Sequence, residues 1–145
     1  MERFLVDHML MRLGRWLRLV GMNVANPEVV EDLALLRRAK QENRILVTRD
    51  KKLFEASRTS GLDCILIHSS DIENQLAEMA RFGIILKINP KRCTICNAPL
   101  QLDPNLSVQK EVWRCQECGK NYWKGTHWQR IEEILEKIRH QELNH

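Results

Sequence analysis

Apolar residues follow two different periods along residues 1–84. Short apolar runs that stop at charged or turn residues, such as RILVT and LDCILIH, are typical of buried strands. Between these runs, apolar residues recur at helical spacing, as at Leu10, Leu13 and Leu17. The pattern predicts strands at 3–7, 22–25, 44–48 and 62–68, and helices at about 10–20, 28–42, 51–60 and 71–83.

Strands that alternate with helices predict an α/β fold, in which right-handed βαβ units build a parallel sheet covered on both faces. The segment IILKINPKRC, residues 84–93, has an apolar, strand-like half followed by Pro90 and two cations. We interpret this segment as a junction. The sequence therefore predicts two domains, residues 1–88 and residues 89–145.

Composition and charge narrow the class of protein. The chain has 145 residues, 43% hydrophobic and 29% charged, which is typical of a soluble globular protein. No segment reaches the roughly 18 consecutive apolar residues that span a membrane, and the first residues do not resemble a secretion signal. We expect a cytoplasmic protein without a membrane partner. A net charge of +4 permits a polyanionic partner without identifying one.

Two C-x-x-C pairs lie in the second predicted domain, and their spacing matches that of zinc sites. Disulfides are rare in reducing compartments, so ligation of a structural Zn²⁺ by four thiolates is the favoured interpretation. Such a zinc ribbon uses the metal in place of a hydrophobic core. The fifth cysteine, Cys64, is predicted to be a small core residue. The predicted zinc ligands are Cys93, Cys96, Cys115 and Cys118.

A last helix follows the ribbon. Thr126 and Gln129 match a capping box, in which the first of these residues is the N-cap. An apolar stripe runs along the helix at Trp128, Ile131, Leu135 and Ile138. We expect Trp128 to pack inward.

Two carboxylates follow neighbouring strands if the strand order is 2-1-3-4. Asp7 ends the first strand and Asp50 follows the third, so both would lie at the switch point outside the carboxyl ends of the sheet. Mg²⁺ or Mn²⁺ is the expected guest, because hard divalent ions prefer oxygen ligands. Glu28, Glu31 and Asp32 share the first turns of the predicted second helix and offer a third ligand. Their alternative role is to complement the helix dipole.

Basic and aromatic residues offer contacts for a nucleic acid. Cations beside Asp50 would attract a phosphate backbone, and Arg12, Arg15 and Arg18 are predicted to share the polar face of the first helix. Ribbon aromatics, with nearby lysines, would stack on unpaired bases. A solvated helix face is the alternative for the arginines. The predicted RNA-binding residues are Arg12, Arg15, Arg49, Lys51, Lys52, Tyr122, Trp123 and Lys124.

Several segments together resemble a known family. They are RFLVDHMLMRLGRWLRLVGMNV, the Glu31-Asp32 helix with LALLRRA, RILVTRDKKL, RCTICNAPL and WRCQECGKNYWKGTHWQRI. In this order they resemble the Mut-seven C-terminal RNase family, a PIN-like domain that carries a zinc ribbon. The resemblance covers nearly the whole chain.

The resemblance implies a PIN-like three-layer α/β/α fold and metal-dependent endoribonuclease activity on RNA. It places the family's acidic positions on Asp7, Asp32 and Asp50, and so favours Asp32 over Glu31. In the family the segment before the second helix is longer and richer in acids, whereas NVANPEVVED is short and contains Asn26 in place of a further acid.

Two other functions remain open at the level of sequence. One is an RNA-binding protein without catalysis, for which the acidic set would be incomplete. The other is an adaptor that binds a protein partner through the zinc ribbon or the last helix. For the nuclease, both single-stranded and structured RNA are candidate substrates, and the sequence does not distinguish one catalytic ion from two.

Overall fold

The computed structural model describes residues 2–143. Four strands and four helices alternate along the first part of the chain, and three further strands and a long helix follow. The elements of the first part are β1 (Arg3–Val6), α1 (Met11–Leu19), β2 (Asn23–Ala25), α2 (Asp32–Gln41), β3 (Ile45–Thr48), α3 (Lys51–Thr59), β4 (Cys64–Leu66) and α4 (Ile72–Arg81). The second part contains β5 (Leu100–Leu102), β6 (Val112–Cys115), β7 (Asn121–Trp123) and α5 (Thr126–Leu143).

The first four strands form one parallel sheet in the order β2-β1-β3-β4. Side chains of β1 alternate between two cores: Phe4 and Val6 pack with residues of α1, α4 and α5, whereas Leu5 packs with residues of α2 and α3. Helices therefore cover both faces of the sheet, and the predicted three-layer α/β/α fold is confirmed. The observed strand order is the 2-1-3-4 that was assumed when Asp7 and Asp50 were placed at neighbouring strand ends. Strands β5, β6 and β7 form a separate antiparallel sheet.

Helix α5 packs on the α/β core although it follows the ribbon in sequence. Its apolar stripe at Ile131, Leu135 and Ile138 is buried in the same core as Leu76 and Met79 of α4. The helix also forms surface ion pairs with α4, and an arginine of α5 donates to the backbone of the preceding extended segment. Within residues 2–143, no helix is long and apolar enough to cross a membrane.

The segment before the ribbon is extended but does not join the sheet. Ile84, Leu86 and Ile88 are buried, while Ile85 and Lys87 between them are exposed. This alternation has the period of a strand, yet it comes from packing one side of an extended chain against the core. The strand-like run at the predicted junction is therefore an extended segment without a strand partner among the described residues.

Helix α2 begins later than predicted. Its first residue is Asp32, and Glu31 is the N-cap with extended backbone angles. Residues 26–31 form a loop with a bend at Glu28, and the β-branched Val29 and Val30 disfavour an earlier start of the helix. The prediction that Glu28 shares a helical turn with Asp32 is therefore wrong.

The start of α5 also differs from the prediction by one position. Thr126 is the first helical residue, and the backbone N–H of Gln129 donates to the carbonyl of Gly125 at 3.0 Å. Gly125 therefore occupies the N-cap position. The expected capping box at Thr126 is therefore wrong. Glycine can also cap a helix, and its lack of a Cβ leaves room for the neighbouring Trp123 ring.

Arg18 is buried, contrary to its predicted place on a polar helix face. Its side chain is 1% exposed and donates from Nε to the carbonyl of Val24 at 2.8 Å, from Nη1 to the carbonyl of Thr94 at 2.8 Å, and from Nη2 to Oδ1 of Asn26 at 2.6 Å. Burial lowers the pKa of Arg18. The helical period predicts only one apolar face, whereas α1 is covered on a further side by the first cysteine pair.

We expect Arg18→Met to destabilise the protein by about 3 kcal/mol, because the buried carbonyl of Val24 and the partly buried carbonyl of Thr94 would lose their donor. Denaturant unfolding measures the change. Arg15→Met is the matched control, since Arg15 lies on the same helix and is exposed. Equal stability of the two variants would contradict a structural role for Arg18.

Candidate functional site

Four cysteine sulfurs meet at one end of the ribbon. All lie within 4.8 Å of one another, with Sγ–Sγ distances of 3.7 Å between Cys93 and Cys118 and 3.3 Å between Cys96 and Cys115. A tetrahedral zinc site with Zn–S bonds of about 2.3 Å requires sulfurs about 3.8 Å apart. The predicted ligand set is therefore brought together in an arrangement compatible with a structural Zn²⁺.

Hydrogen bonds prepare one of these cysteines to bind a metal. Burial opposes ionisation of Cys93, but the Tyr122 hydroxyl and the backbone amides of Cys96 and Ile95 lower the pKa of Cys93 to about 6. The Tyr122 oxygen lies 3.1 Å from the Cys93 sulfur and accepts from the backbone N–H of Thr94 at 3.2 Å. Tyr122, predicted as an RNA contact, thus has its hydroxyl engaged beside a zinc ligand.

The first cysteine pair is docked on the edge of the parallel sheet. Asn97 has a positive φ of 65°, and its Oδ1 accepts from the backbone N–H of Val24 at 2.9 Å. Its Nδ2 donates to Oδ1 of Asn23 at 2.7 Å. Arg18 occupies the carbonyl of the same Val24. The ribbon therefore covers polar backbone groups that an edge strand would otherwise expose.

Asp7 and Asp50 lie at the carboxyl edge of neighbouring strands and are joined through Thr48. The Thr48 hydroxyl donates to Oδ2 of Asp7 and accepts from the backbone N–H of Asp50 at 3.0 Å. Asp7 is 3% exposed, and its Oδ1 accepts from the backbone N–H of Met9 at 3.0 Å. The strand order places both carboxylates at the switch point between β1 and β3.

The two carboxylates suit a hard cation. Asp50 is the N-cap of α3, and its Oδ1 accepts from the backbone N–H groups of Lys52 and Leu53 at 2.8 and 3.4 Å. Within residues 2–143, Oδ2 of Asp50 accepts no hydrogen bond. That oxygen is open to an ion, and Mg²⁺ needs only one or two carboxylates when water completes its shell.

Asp32 is placed differently. It is exposed at the first turn of α2, beside the exposed N-cap Glu31. Among the described residues, only the four cysteines form a group of three or more potential ligands that lie close enough together to share one ion. Asp32 therefore does not complete such a group with Asp7 and Asp50.

Three cations flank the carboxylate edge. Lys51 and Lys52 are exposed on the first turn of α3. Arg49 directly follows β3. Its Nη2 donates to the carbonyl of His68, which follows β4, at 3.4 Å, and its Nε is buried without a partner. The exposed lysines are available to a polyanion, whereas Arg49 is partly engaged by the protein.

A cleft of about 660 Å³ lies between α1, β7 and the start of α5. It brings together four of the predicted RNA-binding residues from distant parts of the sequence, and Lys124 is exposed next to it. The four that line the cleft are Arg12, Arg15, Tyr122 and Trp123.

Comparison with known proteins decides the family. A family model described as the Mut7-C RNAse domain matches residues 2–135, nearly the whole chain. The chain belongs to the Mut7-C RNAse domain family. Searches of the curated proteins and of the solved structures found no match.

Several residues of this Mut7-C RNAse domain matter to the site although sequence reasoning did not identify them. Thr48 ends β3, and its hydroxyl bonds both to the Asp7 carboxylate and to the backbone N–H of Asp50. The available signal in the sequence was a hydroxyl side chain close to a predicted acidic site residue. Glu78 is buried on α4, where its two oxygens accept from the backbone N–H groups of His68 and Ser69 at 2.9 Å each. It stabilises the loop after β4. An acid in the middle of an apolar helical face gives no indication of that partner.

We expect one Zn²⁺ per chain, and elemental analysis should show its loss in Cys115→Ser. The matched control is Cys64→Ser: Cys64 lies outside the cluster, and burial raises its pKa to about 11, so it stays a thiol.

Chelation should remove hydrogen-exchange protection from residues 93–123, because metal binding and ribbon folding are coupled. Protection in β1, β3 and α5 should persist, since α5 is anchored in the α/β core. Loss of protection in α5 together with the ribbon would contradict this division, and an unchanged ribbon in Cys115→Ser would contradict the zinc site.

Proposed function

We propose that this Mut7-C RNAse domain is a metal-dependent endoribonuclease that hydrolyses phosphodiester bonds within RNA. The observation that supports the proposal most directly is the link from Asp7 through Thr48 to Asp50 at the switch point of the sheet. In open parallel sheets this is the place where ligands bind. Membership of an RNAse domain family supplies the class of reaction and the class of substrate.

Asp7 and Asp50 are the proposed ligands of Mg²⁺ or Mn²⁺. When bound, such an ion stabilises negative charge on a phosphate and lowers the pKa of a bound water. The protein's own contribution is positional. Thr48 and the N–H of Met9 fix both oxygens of Asp7, and the first turn of α3 fixes Asp50 through its cap.

Lys51 and Lys52 have the proposed role of attracting the RNA backbone toward these carboxylates, with Arg49 beside them. Two carboxylates alone repel a phosphate, so nearby cations favour the encounter electrostatically. Asp32 is the proposed third acid. Its exposed position at the start of α2, after the loop of residues 26–31, makes it available to RNA or to a second-sphere water.

A second candidate function is RNA binding without catalysis. The observation that favours it is the absence, within residues 2–143, of a third carboxylate close enough to share an ion with Asp7 and Asp50. The cations beside the sheet edge and those of the cleft would then serve binding alone. Activity measured with added metal separates the two candidates.

Asp50→Asn should lower RNA cleavage in Mg²⁺ or Mn²⁺ by on the order of 10²-fold or more, because a charged ligand is lost. RNA binding without divalent metal should be equal or tighter, since one repulsive charge is removed. The fold should persist, because asparagine caps a helix about as well as aspartate. Asp7→Asn should behave similarly. Gel-based cleavage and equilibrium binding measure the two effects.

The matched control for these variants is Asp63→Asn. Asp63 is an exposed acid just before β4, at the opposite edge of the sheet, so its cleavage rate should equal that of wild type. Full activity of Asp50→Asn, or no cleavage by purified wild type with either ion, would contradict the nuclease. The second result would favour the non-catalytic RNA-binding protein.

Asp32→Asn should reduce cleavage at least as much as Glu31→Gln. Both residues are exposed, but Glu31 is the N-cap, and its side chain makes no capping hydrogen bond, so neither change should alter stability by more than about 0.5 kcal/mol. Cleavage rates measured beside thermal unfolding test the pair. A larger loss in Glu31→Gln would assign the third acidic role to Glu31.

A further inference from the structure

The cleft between α1, β7 and α5 combines a basic rim with an aromatic lining. Among the residues that line it, Arg12, Arg15, Lys120 and His127 are basic, and none is a carboxylate. In the chain as a whole acids are abundant, with 19 Asp and Glu residues against 23 Lys and Arg. A cleft that gathers cations and excludes acids is complementary to a polyanion.

The aromatic lining distinguishes this cleft from a simple basic patch. Trp16 and Trp128 are half-buried beside it, and Tyr122 and Trp123 come from β7. Trp123 is 46% exposed, a large exposed fraction for an indole that neither core cluster contains. Base-sized planar groups next to cations are what binding of single-stranded nucleic acid requires.

The exposed indole is held in place by its neighbours. Nζ of Lys110 lies over the Trp123 ring, 4.8 Å from its centroid. Gly125 approaches the same indole closely, since a Cβ atom added to this glycine would lie 3.2 Å from Nε1 of Trp123. Trp128 in turn lies 5.5 Å from Trp113, centroid to centroid, at a tilt of 35°. Trp123 and Trp128 therefore each have close neighbours within the protein, and one face of the Trp123 ring is contacted by a cation.

Arg12 connects the cleft to the segment that carries Asp7. It lies on the first turn of α1, and Asp7 precedes that helix by the short helical turn of residues 8–10. Both residues therefore belong to the segment in which the chain leaves β1 and enters α1.

We infer that this cleft binds an unpaired segment of the RNA substrate, with bases stacked on Trp123 and its aromatic neighbours and phosphates on Arg12, Arg15 and Lys120. This inference rests on the proposed function for its substrate and adds that the RNA is single-stranded where it occupies the cleft. A regular duplex does not fit, because its bases are already stacked and paired. The volume of about 660 Å³ is in the range of roughly 300–1,000 Å³ that ligand sites occupy.

The test is the affinity of the full zinc-loaded chain for a short fluorescent oligouridylate, without Mg²⁺ or Mn²⁺ so that no cleavage occurs. Trp123→Leu should weaken binding by roughly 5- to 150-fold, the effect of one lost base stack. Trp123→Phe keeps a ring and should stay close to wild type. Phe82→Leu is the control, since Phe82 is also exposed and does not line the cleft.

Charge is tested separately by Arg15→Ala with Arg37→Ala as its control, because Arg37 is exposed on α2 in the opposite layer. Loss of Arg15 should make the slope of log affinity against log salt shallower by about 0.7, and loss of Arg37 should leave it unchanged. Zinc content and thermal unfolding, measured for each variant, verify that the ribbon is intact.

Three results would overturn the inference: wild-type affinity in Trp123→Leu, equal weakening in Trp123→Phe and Trp123→Leu, or a blunt RNA duplex bound as tightly as the single strand. Failure of the proposed function gives a different pattern, in which wild type cleaves nothing but Trp123→Leu still loses affinity. Conversely, cleavage that depends on Asp50 together with unchanged binding in Trp123→Leu would contradict the cleft alone.

Discussion

The guanidinium of Arg18 joins the first helix to the neighbouring edge strand and to the first cysteine pair, which lies 76 residues further along the chain. It donates to the carbonyl of Val24 on the edge strand, to Asn26 at the start of the loop before α2, and to the carbonyl of Thr94 inside the first cysteine pair. A buried cation is costly unless its donors are satisfied. Those hydrogen bonds therefore fix the ribbon to the sheet, because moving the ribbon away would leave a buried charge without one of its hydrogen-bond partners.

Helix α5 provides the second attachment of the ribbon. The chain enters the ribbon from the extended segment beside α1 and leaves it through α5, whose stripe is buried in the α/β core. With both ends anchored and Arg18 between them, β7 is held facing α1. The cleft exists because of this arrangement, since Arg12 and Trp123 belong to elements that would otherwise be free to separate.

The sequence was sufficient to predict features that depend on local pattern or on general rules of topology. The parallel sheet, the strand-end positions of Asp7 and Asp50, and the convergence of the cysteines follow from periodicity, parallel-sheet geometry and ligand spacing, whereas the strand order 2-1-3-4 had to be assumed. The apolar stripe of α5 was equally clear, but its partner was not, because an amphipathic helix shows that one face is covered without showing by what.

Features that depend on contacts between distant segments could not be predicted. Arg18 has the spacing of Arg12 and Arg15, and only docking of the cysteine pair makes it a core residue. The late start of α2 reflects the competition between a helix signal after Pro27 and the extended preference of Val29 and Val30. The cleft needed the relative placement of three elements, which no local pattern contains.

The two proposed sites differ in charge. Without a bound cation the carboxylates of Asp7 and Asp50 would repel RNA, whereas the basic cleft would attract it in either condition. If Asp7 and Asp50 hold a divalent ion as proposed, that ion changes the edge from repulsive to attractive. Metal and RNA must then each raise the affinity for the other by the same factor, since linkage is reciprocal. If the cleft holds unpaired bases as proposed, those contacts do not depend on the ion, and they would keep the RNA bound while the edge exchanges its ion.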